Sequence, residues 1–261
     1  MTESQPKRRA WRLSTVNPNP VNPIYRLSGW GVHLGLGLFG HRRWLNQDKL
    51  PASGPVIVCP NHVSRFDPVA VGDYLIWSGR WPRFMAKVEL NRHRLSRWIF
   101  KASGCIPVDR GSLRAVDSLE PARLALEQGD CVVVYPEGSE TWDPDLWPMT
   151  GRTGAARLAL ATGAPVVPMG QWGSQRVYPP HRLRRAQFGR VSFQATLGDP
   201  VDLSDLRRDQ PDHETLALAT TRIMDAITGL VATLRQEPAP DQRYDRRARR
   251  RLPLAAEDPT D

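Results

Sequence analysis

The stretch PVIVCPNHVSRFDPVAVGDYLIW, residues 55–77, reads as a strand, a polar turn and a helix in succession. PVIVC (55–59) is a short β-type run, and a helical pattern covers 67–78. The alternation continues downstream. Further β-type runs are RFMAK (83–87), CIPV (105–108), CVVVY (131–135), PVVPM (165–169) and VSFQATL (191–197), with helical patterns at 89–103, 112–128 and 151–162. This order predicts one α/β domain with a largely parallel central sheet flanked by helices. From about Pro211 to Arg235, Leu216, Ala219, Ile223, Ala226, Ile227, Leu230 and Leu234 recur at helical spacing, which predicts a final amphipathic helix.

A chain of 261 residues can bury one substantial core, and 40% hydrophobic with 24% charged residues fits a folded, non-polytopic protein. The net charge of +9, carried almost wholly by arginine, points to an anionic partner without choosing among nucleic acid, phospholipid, coenzyme A or an acidic carrier protein. Cys59, Cys105 and Cys131 sit in apolar surroundings without metal-ligand spacing, so they read as reduced core residues of a cytoplasmic protein.

Residues 1–23 are proline-rich and polar and read as a flexible arm. They lack the compact apolar run of a secretory signal. The apolar run WGVHLGLGLF (30–39) is too short to span a bilayer, for which about 20 residues are needed. Flanked by Trp and Arg, it suits either an N-terminal interfacial helical segment or a helix packed on the protein's own core. Residues 24–50 are assigned to this segment and the approach to the domain, and 51–236 to the domain itself. Over 237–261, Arg243, Arg246, Arg247, Arg249, Arg250 and Arg251 are matched by six acids, so this stretch reads as a flexible charged tail.

Chemistry concentrates at strand ends, where sites form in parallel α/β sheets. His62 follows the first strand with Asp67 five residues later. The acid can hold the ring in one tautomer and leave the other nitrogen to take a proton. Taken alone, such a pair arises by chance in about a quarter of chains with this histidine content. Gly104 to Arg110 (GCIPVDR) leaves another strand with a guanidinium able to fork onto a phosphate. Tyr135-Pro136-Glu137-Gly138-Ser139-Glu140-Thr141 leaves the CVVVY strand, and Ala164 to Pro168 (APVVP) belongs to the next. A serine hydrolase built on Ser64 or Ser139 would lack the GxSxG elbow. A basic membrane- or nucleic-acid-binding module without chemistry would have no reason to place His62 and Asp67 together.

These four blocks, NHVSRFD (61–67), GCIPVDR (104–110), YPEGS (135–139) and VVP (166–168), resemble in order the motifs of the glycerolipid acyltransferases that include the 1-acylglycerol-3-phosphate acyltransferases. AKVEL (86–90) and GAARLALATGAPVVP (154–168) look similar too. The resemblance implies an acyltransferase domain with an acyl groove, His62 as base and Asp67 as its orienting acid. Asn61, Lys87, Arg110, Glu137, Gly138 and Ser139 would bind substrate. It implies direct transfer from acyl-CoA or acyl carrier protein to the hydroxyl of lysophosphatidic acid or a related glycerophosphate in phospholipid synthesis, at an anionic membrane surface, with another lysophospholipid or lipid alcohol as the alternative acceptor. The expected place is the cytoplasmic face, as a peripheral or monotopic protein, with no metal or other cofactor and no nucleic acid. One position departs from the pattern: Glu140 stands where the family usually has arginine, placing a negative charge beside the site. Arg152 is the candidate for the missing cation.

Overall fold

A computed structural model describes residues 13–17, 21–87, 103–108, 117–181 and 190–253. Asp109, Arg110, most of the helical pattern at 89–103 and the start of that at 112–128 lie outside the described residues.

Among the described residues, seven strands form the main sheet: β1 (Gly40–Leu45), β2 (Val56–Pro60), β3 (Pro82–Lys87), β4 (Ile106–Val108), β5 (Cys131–Val133), β6 (Val166–Trp172) and β7 (Val191–Leu197). Their order is β1-β7-β6-β2-β5-β3-β4. Every neighbouring pair is parallel except β6 with β7. The largely parallel α/β architecture expected from the alternation is therefore present. The principal helices are α1 (Leu13–Val16), α2 (Pro23–Phe39), α3 (Asp67–Trp77), α4 (Glu120–Glu127), α5 (Gly154–Thr162) and α6 (His213–Arg235).

The β2 run shows why its residues are all apolar. Ile57 and Cys59 pack in a cluster with Leu126 of α4, Ala155 of α5 and Ile223 of α6. Val56 and Val58 point the other way, into a cluster with Val71, Tyr74 and Leu75 of α3. A strand covered on both faces has no use for alternating polar positions. Helix α6 is long and apolar enough to cross a membrane by length and composition, yet Leu216, Ile223, Ile227 and Val231 are buried in the first cluster. It serves as the core helix of that layer.

Helix α2 is locked onto this frame by one buried carboxylate. Asp73 of α3 accepts from Trp44 Nε1 at 3.0 Å, lies 2.8 Å from His33 Nδ1 and sits 3.6 Å from the Arg42 guanidinium. The His33 ring also stacks on Trp77, with centroids 4.0 Å apart. One side chain thus joins α2, α3 and β1. At the turn from α2 into β1, a Cβ on Gly40 would fall 2.1 Å from the Val191 carbonyl oxygen, so only glycine allows β1 to lie against β7.

Three boundaries differ from those read in the sequence. Residues 40–45, assigned with the interfacial segment, are the β1 strand of the central sheet. Within the expected N-terminal arm, Leu13–Val16 is helical, and Leu13 and Asn17 are buried. The charged stretch after Glu237 is not a free tail over its described part: β8 (Gln242–Asp245) pairs antiparallel with β9 (Arg250–Pro253). This hairpin is pinned to the domain. Arg251 forks onto the buried Asp143 carboxylate at 2.7 and 2.8 Å, Arg243 pairs with Asp225 of α6 at 2.7 Å, and Thr150 N–H donates to the Tyr244 carbonyl at 2.9 Å. Balanced charge in the sequence is here charge paired across space. Cys59 and Cys131 are buried as expected, whereas Cys105 lines a cavity and is only partly covered.

Candidate active site

The C-terminal end of β2 runs into the loop that carries Asn61 and His62, and α3 begins five residues after His62 at Asp67. Asp67 is fully buried, and its Oδ2 gathers three donors. The backbone N–H groups of Val63 and Ser64 donate at 2.7 and 2.8 Å, and His62 Nδ1 lies at 2.8 Å. The loop is therefore wound around the carboxylate, and the imidazole is held with Nδ1 inward. Its other nitrogen, Nε2, remains to accept a proton. The His62 ring stacks on Tyr135, centroids 4.3 Å apart, which fixes its plane. Burial works to depress the imidazole pKa, but the hydrogen bond and charge of Asp67, with the charges of Glu137 and Glu140, outweigh it and leave His62 above its ordinary value.

Two residues expected to touch substrate are instead scaffold. Asn61 is fully buried: its Oδ1 accepts from Gln171 N–H at 2.8 Å and its Nδ2 donates to the Gln171 carbonyl at 3.1 Å, tying the loop to β6. Glu137 is 2% exposed and takes the backbone N–H of His62 at 2.7 Å on one oxygen and that of Met149 at 3.1 Å on the other. Both buried N–H groups would otherwise lack a partner. Burial pushes the Glu137 carboxyl up to about 8, against the pull of its two donors and of His62. Gly138 follows at φ 71°, a left-handed conformation that frees the chain to turn back and bond Tyr135 O at 3.0 Å. Above about pH 8, where the carboxyl is ionised, Glu137→Gln should cost about 1–3 kcal/mol of stability, because the amide NH₂ cannot accept one of the two N–H groups. Urea unfolding with an unchanged midpoint would refute the scaffold assignment.

His62 faces a cavity of about 1430 Å³. Its deep wall is apolar, with Val69, Ile76, Phe84, Met85 and Val108 among its residues, and α2 contributes Tyr25, Gly29 and Val32. Its rim is basic, with Arg65, Arg152, Arg157 and Arg246. His62 thus shares one cavity with a set of apolar side chains and with four arginines. The sequence from 41 to 172 matches the Acyltransferase family.

The chain belongs to that family.

A probable 1-acyl-sn-glycerol-3-phosphate acyltransferase of Mycoplasma pneumoniae is 30% identical over 183 residues, covering 66% of this chain and 65% of the relative. The 1-acyl-sn-glycerol-3-phosphate acyltransferase of Streptococcus pneumoniae is 25% identical over 186 residues, covering 70% and 64%. The Bacillus subtilis protein of that name is 24% identical over 217 residues, covering 82% of this chain and 100% of its own length. The chain spans just under two thirds of the first two relatives. The crystal structure of the 1-acyl-sn-glycerophosphate acyltransferase from Thermotoga maritima superposes with a TM-score of 0.62 at 21% identity, over 84% of each chain, and shares the fold.

The remaining acyltransferase motif residues divide into those the structure gathers and those it does not describe. Ser139 and Gly138 line the cavity with His62, as does Arg152. Lys87 ends β3, and Arg110 lies outside the described residues. Glu140, expected to place a negative charge beside the site, lines the cavity but is nearly buried and already paired. Its Oε1 accepts from Arg65 Nε at 3.1 Å and its Oε2 from the His181 N–H at 2.7 Å. Arg65 and His181 were not legible as partners because they lie 75 and 41 residues from Glu140 in the chain. Among the described residues no group of three or more His, Cys, Asp or Glu side chains is placed to hold a metal.

Proposed function

We propose that this protein is an O-acyltransferase that moves a fatty acyl group from acyl-CoA or acyl carrier protein to the free hydroxyl of lysophosphatidic acid. The observation that carries this reading is the His62–Asp67 pair, 2.8 Å apart, with His62 in one cavity with apolar side chains and four arginines. The acyl chain occupies the apolar wall and the polar headgroup stays at the arginines. His62 Nε2 takes the acceptor hydroxyl proton as that oxygen attacks the thioester carbonyl carbon. The C–S bond then breaks, and the proton passes from His62 to the departing thiolate. Asp67 holds the imidazolium formed in between. The curated relatives named above, each called a 1-acyl-sn-glycerol-3-phosphate acyltransferase, support this choice of acceptor. Incubation of the purified protein with acyl-CoA or acyl carrier protein thioester and a panel of lysolipids, with products read by mass spectrometry, tests it. Phosphatidic acid is the expected product. Acylation of a headgroup-substituted lysolipid alone would move the acceptor, and no acylated product from any pair would overturn the reading.

The same reading places the enzyme on an anionic membrane at its cytoplasmic face. Helix α2 turns Gly29, Val32 and Leu36 toward the core, while Leu27 and Leu38 are each 70% exposed, Leu34 50%, Trp30 49% and Ile24 41%. Spacings of three and four residues put these five on one face. An apolar helical face of this kind suits the lipid interface, and α2 also borders the cavity through which a lipid must enter. Replacing Leu27, Leu34 and Leu38 together by serine should reduce co-sedimentation with anionic liposomes severalfold with little loss of fold, because all three side chains are exposed. Undiminished sedimentation would remove α2 from the docking surface.

A further inference from the structure

The C-terminal hairpin brings a residue to the cavity that no motif announces. Arg246 begins the turn between β8 and β9. Its guanidinium lies 5.7 Å from the centre of the Trp142 ring and 3.4 Å from Ser139 Oγ, and it lines the same cavity as His62. The turn that holds it is fastened: Asp245 accepts from the Ala248 N–H at 2.6 Å and from Thr150 Oγ1 at 3.3 Å. Arg152 lines the cavity from the loop before α5, and Arg157 from α5 itself. Among the described residues neither Arg152 nor Arg246 has a carboxylate within salt-bridge distance. Partial burial and the nearby Arg246 and Arg247 charges hold the Arg152 guanidinium below its ordinary pKa. Cations packed together in this way are relieved by an anion between them.

We propose that Arg246, presented by the C-terminal hairpin, and Arg152 form a phosphate-binding subsite at the cavity mouth, supplying the cation that Glu140 does not. This rests on the acyltransferase reading above. Glu140 and Arg65 satisfy each other, so the position that carries arginine elsewhere in the family is closed here to an anion. The hairpin reaches over the same loop, at Ser139 and Trp142, and replaces it from another part of the chain. The ligand chemistry is a phosphate monoester, found both on lysophosphatidic acid and as the 3′-phosphate of coenzyme A.

Steady-state kinetics on the full chain in phosphatidylcholine-containing mixed micelles distinguish the two sources. Arg246 is exposed, so Arg246→Ala should fold, and circular dichroism checks this. If the subsite takes the acceptor phosphate, Arg246→Ala raises KM for lysophosphatidic acid about tenfold and leaves KM for acyl-CoA in place. If it takes the donor phosphate, KM for acyl-CoA rises instead, and the difference from wild type disappears with 3′-dephospho acyl-CoA. In either case Arg246→Lys recovers part of the loss, since charge returns without the forked geometry. Both KM values within twofold of wild type, or a fall confined to kcat, would overturn the subsite. His62→Ala in the same assay separates the two levels of inference. If that variant is inactive while Arg246→Ala is unaffected, the acyltransferase reading stands and the subsite falls. If it remains active, the reading of the site itself falls.

Discussion

His62→Ala is expected to lower acyl transfer by about a hundred- to ten-thousandfold, the usual contribution of a positioned general base. The fold should survive, because the bonds that hold this loop come from the His62 backbone: its N–H donates to Glu137 and its carbonyl accepts from Thr141 N–H at 2.7 Å. Alanine keeps both. What is lost is the imidazole on Tyr135 and its bond to Asp67, which still holds the Val63 and Ser64 N–H groups. Product formation under single-turnover conditions, alongside a thermal melt, gives the comparison. A variant that melts near wild type and turns over at the wild-type rate would end the case for His62 as base.

Asp67→Asn should lower turnover by about a hundredfold or more and also move the pH profile. The base acts in its neutral form, so kcat/KM of the wild type should climb with pH through a midpoint above 6.5, the ordinary imidazole value, as His62 loses its proton. Burial opposes the charged ring, and Asp67 is the main group offsetting it. With the carboxylate gone, the midpoint should fall below that of the wild type, so the small residual activity persists further into acid. Stability follows the same linkage. The raised His62 pKa stabilises the folded state fully below about pH 6.5, and this contribution fades as pH rises through the folded value. Asp67→Asn should flatten that dependence. An unmoved midpoint would mean that the ring does not feel the carboxylate.

The parts of the fold and site that were legible in the sequence are those with local causes. β2 and α3 could be read because a doubly covered strand and a helix with Pro68 in its first turn each leave a short-range signature. The His62–Asp67 pair was legible because five residues of chain suffice to bring the two together. β1 was missed because GHRRWL is charged: it lies at the edge of the sheet, where His41 and Arg43 point to solvent. The hairpin was missed because Arg243 and Arg251 find their acids, Asp225 and Asp143, 18 and 108 residues away, beyond the reach of a local pattern. Asn61 and Glu137 read as substrate ligands because they sit in motifs, but the donors and acceptors they satisfy are backbone groups that no side-chain pattern reveals.

The pairing of β1 with β7 has a consequence for the order of events during synthesis. Gly40 is opposite Val191, about 150 residues later in the chain, so β1 waits for most of the protein before it has a neighbour. At ribosomal rates of about 5–20 residues per second that interval lasts on the order of 10–30 s. Helix α2, joined directly to β1, emerges early, and its clasp through His33 to Asp73 can form once α3 is made, long before β7 exists. The α2–α3 unit can therefore be in place before β1 has its neighbour, which makes closing this edge of the sheet a late step in folding.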